Sequence, residues 1–290
     1  MTAGKFNSPV CPDMLAEEER SRFETDGYLA FERVLSSDEV DAGRRAIREL
    51  VERGYERDRV QVLGEQRPAE DSPGRQQFYI QYEPGTDRTA ITLEKCEEHV
   101  RKLMWFVDEH PFFQYMVYEH PKIRMMLDTL LHPDAILFQE MMLVKPAHIG
   151  GERVWHQDDA YFAVKPLDAV LGMWVAFDDA TPENGCMHML PGGHKRGPLL
   201  QSHDVGCTIP ADRLENASVT PVPLSAGGGM FLSGLVPHMT PANRTPYRRR
   251  AVQFHFRHPQ SEIVTQAEYA RLFAEVDGTP AACSSWQYRK

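Results

Sequence analysis

The sequence predicts a mainly β protein with flanking helices, on three observations. From residue 135 onward, short apolar runs alternate with clusters of Pro, Gly, Asn and Asp, the texture of a sandwich or barrel of short strands. Before that point apolar residues recur at helical spacing, so the first half is expected to pack as helices on the outside of the β core. The 290 residues are 42% hydrophobic and 26% charged, a balance that supplies a sizeable core and excludes a fibrous or wholly disordered chain.

Residues 1–13, interrupted by Pro9 and Pro12, read as a tail. A first helix is expected over 15–25, ending near Gly27, followed by a short strand over 28–34. Ser36 and Glu39 have capping-box spacing, and Val40, Ile47, Leu50 and Val51 follow at helical intervals. A second helix should therefore start at Ser36 and stop at Gly54. Residues 57–77 are polar, with Pro68, Pro73 and Gly74, and read as a loop; 78–82 reads as a strand. From 94 to 131 the pattern is helical, with breaks expected at Pro111 and Pro121. Strands are expected over 136–144, 155–162, 169–177, 185–190, 229–232 and 249–256. The segment 198–228 is long and poor in pattern, which suggests a covering loop, and 261–276 reads as a final helix.

Composition excludes several classes of function. Lys and Arg number 32 against 42 Asp and Glu, a net charge of −10, without the basic footprint of a nucleic-acid binder. No run approaches the roughly 18 apolar residues of a membrane-spanning helix, so neither nucleic acid nor membrane is an expected partner. The start, MTAGKFNSPVCPD, lacks the basic and apolar regions of a secretory signal. The five cysteines are scattered with no CxxC pair, so a reducing cytoplasm is the expected location. Gly227, Gly228 and Gly229 lack the Lys-Ser or Lys-Thr of a phosphate loop and read as a turn.

The sharpest local signal is Trp155-His156-Gln157-Asp158-Asp159. In an extended strand His156 and Asp158 project to one side and Gln157 and Asp159 to the other, so an imidazole and a carboxylate can meet one metal ion. A second signal is Pro237-His238-Met239-Thr240, with Arg248, Arg249 and Arg250 downstream. Two imidazoles and one carboxylate on one face of a metal suit non-haem Fe(II), because coordination positions stay open for substrate and oxygen. Spacing alone leaves open whether the three meet.

The stretch from Trp155 to Gly197, with HQDDAYF, MWVAFDDATPENGCM and LPGGHKRG, together with GGGMFLSGLVPHMTPANRTPYRRRAVQFHF, resembles the phytanoyl-CoA dioxygenase family of Fe(II)/2-oxoglutarate-dependent oxygenases. FETDGYLAFERVL near the start has the same flavour. The resemblance implies a double-stranded β-helix, the jelly-roll or cupin-like core, with the N-terminal helices packed outside. It implies one oxygenase domain over 1–290: a tail (1–13), a mainly helical support (14–134), a jelly-roll catalytic core (135–257), and a C-terminal helix and tail (258–290).

Position by position, the resemblance implies that His156, Asp158 and His238 bind Fe(II), and that Arg249 pairs with the distal carboxylate of 2-oxoglutarate, which suits a planar guanidinium. Thr240 would add a hydroxyl to that carboxylate. Trp174, Gln139 and Met141 would lie beside the cosubstrate, and Lys102 resembles a family lysine that reaches it. Lys145 shares the face of Gln139 and Met141, near a strand end where it can be solvated. Arg248 and Arg250 alternate away from Arg249 and read as surface or lid contacts. His194 reads as a structural turn residue, and His188 and His255 as core or rim histidines, His255 on the same face as Arg249. Asp178, Asp179, Glu183 and Asn184 read as a strand end and turn.

The implied chemistry is hydroxylation of a C–H bond coupled to oxidative decarboxylation of 2-oxoglutarate by O2, with release of succinate and CO2. Related iron halogenases lack the carboxylate ligand, so Asp158 favours hydroxylation. The alternatives are a jelly-roll metal enzyme that does not use 2-oxoglutarate and a non-catalytic member that binds a small molecule. No compact basic cluster compels a CoA thioester, and a small metabolite is the expected substrate.

Overall fold

The chain returns repeatedly across its main sheet, so that strands far apart in sequence lie side by side. A computed structural model of the chain describes residues 6–62, 77–162, 164–200, 207–214 and 218–273. In chain order its elements are α1 (Glu17–Asp26), β1 (Tyr28–Phe31), α2 (Ser37–Val62), β2 (Tyr79–Tyr82), β3 (Val100–Met104), α3 (Pro111–Tyr118), α4 (Pro121–Leu130), β4 (Ile136–Lys145), β5 (Arg153–His156), β6 (Val164–Lys165), β7 (Val170–Ala176), β8 (Met187–Met189), β9 (Thr220–Val222), β10 (Gly229–Ser233), β11 (His238–Thr240), β12 (Arg249–Arg257), β13 (Glu262–Ile263) and α5 (Gln266–Leu272). The seven-stranded sheet, of order β1-β10-β7-β12-β4-β3-β2, faces a four-stranded sheet of order β5-β11-β8-β9, and neighbouring strands in both are antiparallel. This is the expected double-stranded β-helix with helices outside.

Alternation along the strands separates two cores. On β12, Val252, Phe254 and Phe256 turn outward and pack with α2, α3 and α4 through Leu50, Phe113 and Met126. Ala251 turns inward, where Trp174, Met230 and Leu232 of the large sheet meet Met187, Met189 and Val222 of the small one. Burial of both faces of β7 explains why it is an unbroken apolar run, while β12, equally buried, carries Arg249, Gln253 and His255 on its inward face.

Several expectations are corrected. Cys11 is buried and its amide donates to the Glu32 carbonyl at 2.7 Å, so the expected tail is tied to β1 from Pro9 onward. Helix α2 passes Gly54 and continues to Val62. A Cβ at Gly54 would lie 3.2 Å from Ile80 and 3.3 Å from Phe78; the glycine lets the helix approach β2, while good helix formers around it sustain the turns. The loop expected over 57–77 is therefore helical to 62, and 63–76 lie outside the described residues. Of the three strands that residues 14–134 contribute to the large sheet, β1 and β2 fall within the strands expected over 28–34 and 78–82. The third, β3, lies inside the expected 94–131 helical region, because pairing with β2 and β4 overrides local periodicity.

Pro111 and Pro121 do not break helices but start them, at the first helical position, where a missing N–H costs nothing. His110 and His120 accept from Phe112 N at 3.1 Å and Ile123 N at 3.4 Å as caps. The Ser36–Glu39 box forms as expected, Ser36 N donating to Glu39 Oε2 at 2.8 Å. The strand expected over 155–162 ends at His156, and a 3-10 turn follows over Asp158–Tyr161. The final helix is shorter than 261–276, and residues beyond 273 lie outside the described ones. Of the expected covering loop, 201–206 and 215–217 are likewise outside, while β9 belongs to the small sheet and Cys207 is buried. Among the described residues no helix is long and apolar enough to cross a membrane.

Candidate metal centre and its anion pocket

His156 and His238 are directly paired across β5 and β11, which brings their rings to a centroid separation of 4.3 Å. Asp158, the first residue of the 3-10 turn, closes the group: its Oδ1 lies 3.5 Å from His156 Nε2 and 3.7 Å from His238 Nε2. Candidate donor atoms of the three all lie within 4.8 Å of one another, and all three residues are buried. The simple strand alternation expected for His156 and Asp158 is therefore not what joins them; the turn swings the carboxylate back under the imidazoles.

Both imidazoles are oriented by backbone. His156 Nδ1 donates to Val154 O at 2.7 Å, and His238 Nδ1 donates to Val236 O at 3.0 Å. A carbonyl only accepts, so each Nδ1 carries the proton and each Nε2 keeps its lone pair for a metal. Burial and the neighbouring His238 push the His156 imidazole down to about 3, which keeps it neutral and ligand-competent. Burial alone would raise Asp158, but the His238 and His255 rings outweigh it and hold the carboxyl well below the usual range.

Asp158 Oδ2 is held from the opposite sheet, by His255 Nε2 at 2.9 Å and Gln253 Nε2 at 3.0 Å. His255, read as a core or rim histidine, thus orients a candidate ligand. Gln253 was missed; its signal is alternation, since Arg249, Gln253 and His255 share one face of β12. Gln157 was also missed: it donates to Gly197 O and Leu235 O and accepts from Leu199 N, pinning the segments on either side of the turn.

Arg249 opens β12 and is 1% exposed. Its guanidinium carbon lies 5.6 Å from the Trp174 ring centroid, and Nη1 donates to Leu143 O at 3.2 Å. Among the described residues, Arg249 Nε and Trp174 Nε1 are buried without a hydrogen-bond partner, as is Gln139 Oε1. Burial lowers Arg249 to about 10, so it stays charged, and a buried cation with an idle donor is costly unless an anion completes it. This is the observation that the pocket fits a carboxylate, beside a donor set that fits Fe(II). Thr240, buried, sits two residues beyond His238 on the same strand. Met141 and Gln139 pair with Gln253 and His255, and Lys102 lies on β3 opposite Leu143, so all three belong to the inward-facing rows.

Three readings change. Lys145 is not solvated: it is 5% exposed, paired with Arg249, and pushed down to about 6 by burial and that neighbouring charge. Arg250 is not a surface or lid contact but buried, gripping Asp178 through Nε and Nη2 at 2.8 Å each. Asp178 is thus a structural partner rather than loop chemistry, and Arg248 pairs with Glu97 at 2.7 Å. His194 keeps its structural reading, 3.2 Å from Glu24 O.

A family model described as phytanoyl-CoA dioxygenase (PhyH) matches residues 23–251. The chain belongs to the phytanoyl-CoA dioxygenase family. It is 26% identical over 285 residues to phytanoyl-CoA dioxygenase domain-containing protein 1 of Danio rerio, covering 91% of this chain and 97% of that one. Among solved structures, the non-heme alpha-ketoglutarate-dependent carbocyclase SnoK from nogalamycin biosynthesis superposes with a TM-score of 0.62 at 21% identity, over 96% of this chain and 98% of that one. EctD from S. alaskensis superposes with a TM-score of 0.62 at 19% identity when solved with bound Fe, over 87% of this chain and 80% of that one. With 2-oxoglutarate and 5-hydroxyectoine bound, the TM-score is 0.63 at 18% identity, over 96% and 90%. These likenesses identify the fold.

Proposed function

We propose that this phytanoyl-CoA dioxygenase family member is an Fe(II)/2-oxoglutarate-dependent oxygenase that hydroxylates an unactivated C–H bond of a small organic molecule, with release of succinate and CO2. The observation that carries this reading is the convergence of His156 Nε2, Asp158 Oδ1 and His238 Nε2 within 4.8 Å, together with a buried Arg249 guanidinium that has no carboxylate partner among the described residues. Family membership supports it, as does a fold shared with SnoK and EctD. Fe(II) with 2-oxoglutarate and O2 supplies the oxidising power when bound.

The chain's own residues supply position. His156, Asp158 and His238 hold the metal, each fixed by a partner on its far side, and three ligands on one face leave positions for cosubstrate and O2. Arg249 grips the distal carboxylate of 2-oxoglutarate by charge-assisted hydrogen bonds, with the Thr240 hydroxyl as a further donor. Trp174, Gln139, Met141 and Lys102 line the cosubstrate. Burial of the triad keeps bulk water from the reacting centre, and Asp158, as third ligand, favours hydroxylation over halogenation. A reducing compartment such as the cytoplasm suits both Fe(II) and the four buried, free cysteines of the described residues.

Succinate formation from 2-oxoglutarate, measured with Fe(II) and O2 across candidate substrates, tests the reading. Substrate-stimulated succinate release that vanishes in Asp158→Ala is expected. A chain that binds the metal yet never forms succinate would instead be a jelly-roll metal protein independent of 2-oxoglutarate.

A further inference from the structure

Arg153, beside the candidate metal site, has no carboxylate partner among the described residues and no part in holding the metal or the cosubstrate. Other arginines do meet carboxylates, Arg250 with Asp178 at 2.8 Å and Arg53 with Glu109 at 3.2 Å. Arg153 opens β5. The pairing shifts there, so that His156 lies opposite His238 while Arg153 lies opposite Thr240; three residues of β5 span the distance that two span on β11. Such a bulge re-aims a side chain, and it sets Arg153 beside the strand positions that carry the triad.

The Arg153 guanidinium lies 5.0 Å from the centroid of the Tyr161 ring and donates to the Tyr161 hydroxyl. The Tyr161 ring in turn meets the His156 ring at 6.0 Å. Arg153 therefore stands one aromatic ring away from a candidate ligand, half-buried, with its fork held by a ring face and a hydroxyl. Lys102 approaches from the other sheet, in the row that continues through Leu143 and Ala251 to Ala176. Burial pushes Lys102 down to about 8; the Arg153 and Arg101 charges act in the same direction and Asp158 opposes them, so these charges share one environment.

Resting on the oxygenase reading, we propose that Arg153 receives an oxyanion group of the substrate, a carboxylate or a phosphate monoester, and so sets the class of molecule this site accepts. A guanidinium matches either group by two parallel hydrogen bonds. The held fork lowers the ordering cost of doing so.

The test uses the full chain loaded with Mn(II) and saturating 2-oxoglutarate, titrated calorimetrically with aliphatic and aromatic carboxylates, the corresponding phosphate monoesters and the uncharged primary amides. Anions of one of the two kinds are expected to bind, with the amides failing. Arg153→Gln is expected to weaken anion binding at least about tenfold, Arg153→Lys less, and Mn(II) and 2-oxoglutarate affinities should not change in either. No anion binding, amides binding as well as anions, or an unaltered Arg153→Gln would overturn the proposal. So would a loss of 2-oxoglutarate affinity in Arg153→Gln, which would assign the residue to the cosubstrate. Failure of the wild type to bind 2-oxoglutarate with Mn(II) would instead remove the oxygenase reading, and Arg153-dependent anion binding would still be read separately.

Discussion

His255 Nε2 lies 2.9 Å from Asp158 Oδ2, holding the carboxylate oxygen that the His156 and His238 rings leave aside. Strand β12 of the large sheet thereby fixes a candidate ligand carried by a turn of the small one. Gln253 reinforces it at 3.0 Å. Neither residue belongs to the triad, yet both set where Asp158 Oδ1 points.

His255→Ala and Gln253→Ala should accordingly weaken metal binding by about 10- to 100-fold, the usual cost of losing a partner behind a ligand. Titration of Mn(II) followed by electron paramagnetic resonance measures this directly. Affinity equal to wild type in both variants would mean that Asp158 needs no such support.

Arg249→Met should abolish saturable 2-oxoglutarate binding while leaving the unliganded chain at least as stable as wild type. The reason is the buried cation without a carboxylate partner among the described residues, which stabilises the fold little until an anion arrives. Thermal unfolding with and without 2-oxoglutarate checks both halves. A marked destabilisation of unliganded Arg249→Met would show that the guanidinium is chiefly structural.

Glu140 gives a pH dependence. Burial raises its carboxyl to about 7 from 4.5, although the Val107 amide donates to it. Because the folded value is raised, its contribution to stability is fully present below pH 4.5 and is lost as pH rises through 7. At about 1.4 kcal/mol per unit, the loss is on the order of 3–4 kcal/mol. Urea midpoints should therefore fall between pH 5 and 8 in wild type by more than in Glu140→Gln, whose amide oxygen still accepts from Val107. Parallel profiles for the two would contradict this.

Gly234→Ala should be destabilising by about 1–3 kcal/mol. An added Cβ would stand 2.2 Å from Asp159 Oδ1, where the Asp159 amide already bonds Gly234 O at 3.0 Å. The same substitution in an Asp159→Ala background should cost clearly less, and equal costs in the two backgrounds would place the strain elsewhere.

Much of this was legible in the sequence, for identifiable reasons. Short apolar runs such as β4 and β7 announced themselves between turn residues because strands buried on both faces need apolar side chains throughout, and Ser36 and Glu39 marked a helix start by chemistry confined to four residues. The candidate ligands showed through a triplet and a distant histidine inside long family motifs. What escaped depended on partners far along the chain. Strand β3 reads as helix until β2 and β4 flank it, and Gly54 reads as a stop until β2 is seen beneath it. Arg250 reads as surface until Asp178 meets it. Arg153 has no motif, and a register shift against β11 turns it toward the site.

Crystals grown without oxygen in Fe(II) and 2-oxoglutarate, with anomalous diffraction recorded at the iron edge, bear most directly on the proposed centre. One iron peak is expected among His156 Nε2, Asp158 Oδ1 and His238 Nε2, with the distal carboxylate of 2-oxoglutarate on Arg249. Iron bound elsewhere, or 2-oxoglutarate seated away from Arg249, would contradict the assignment.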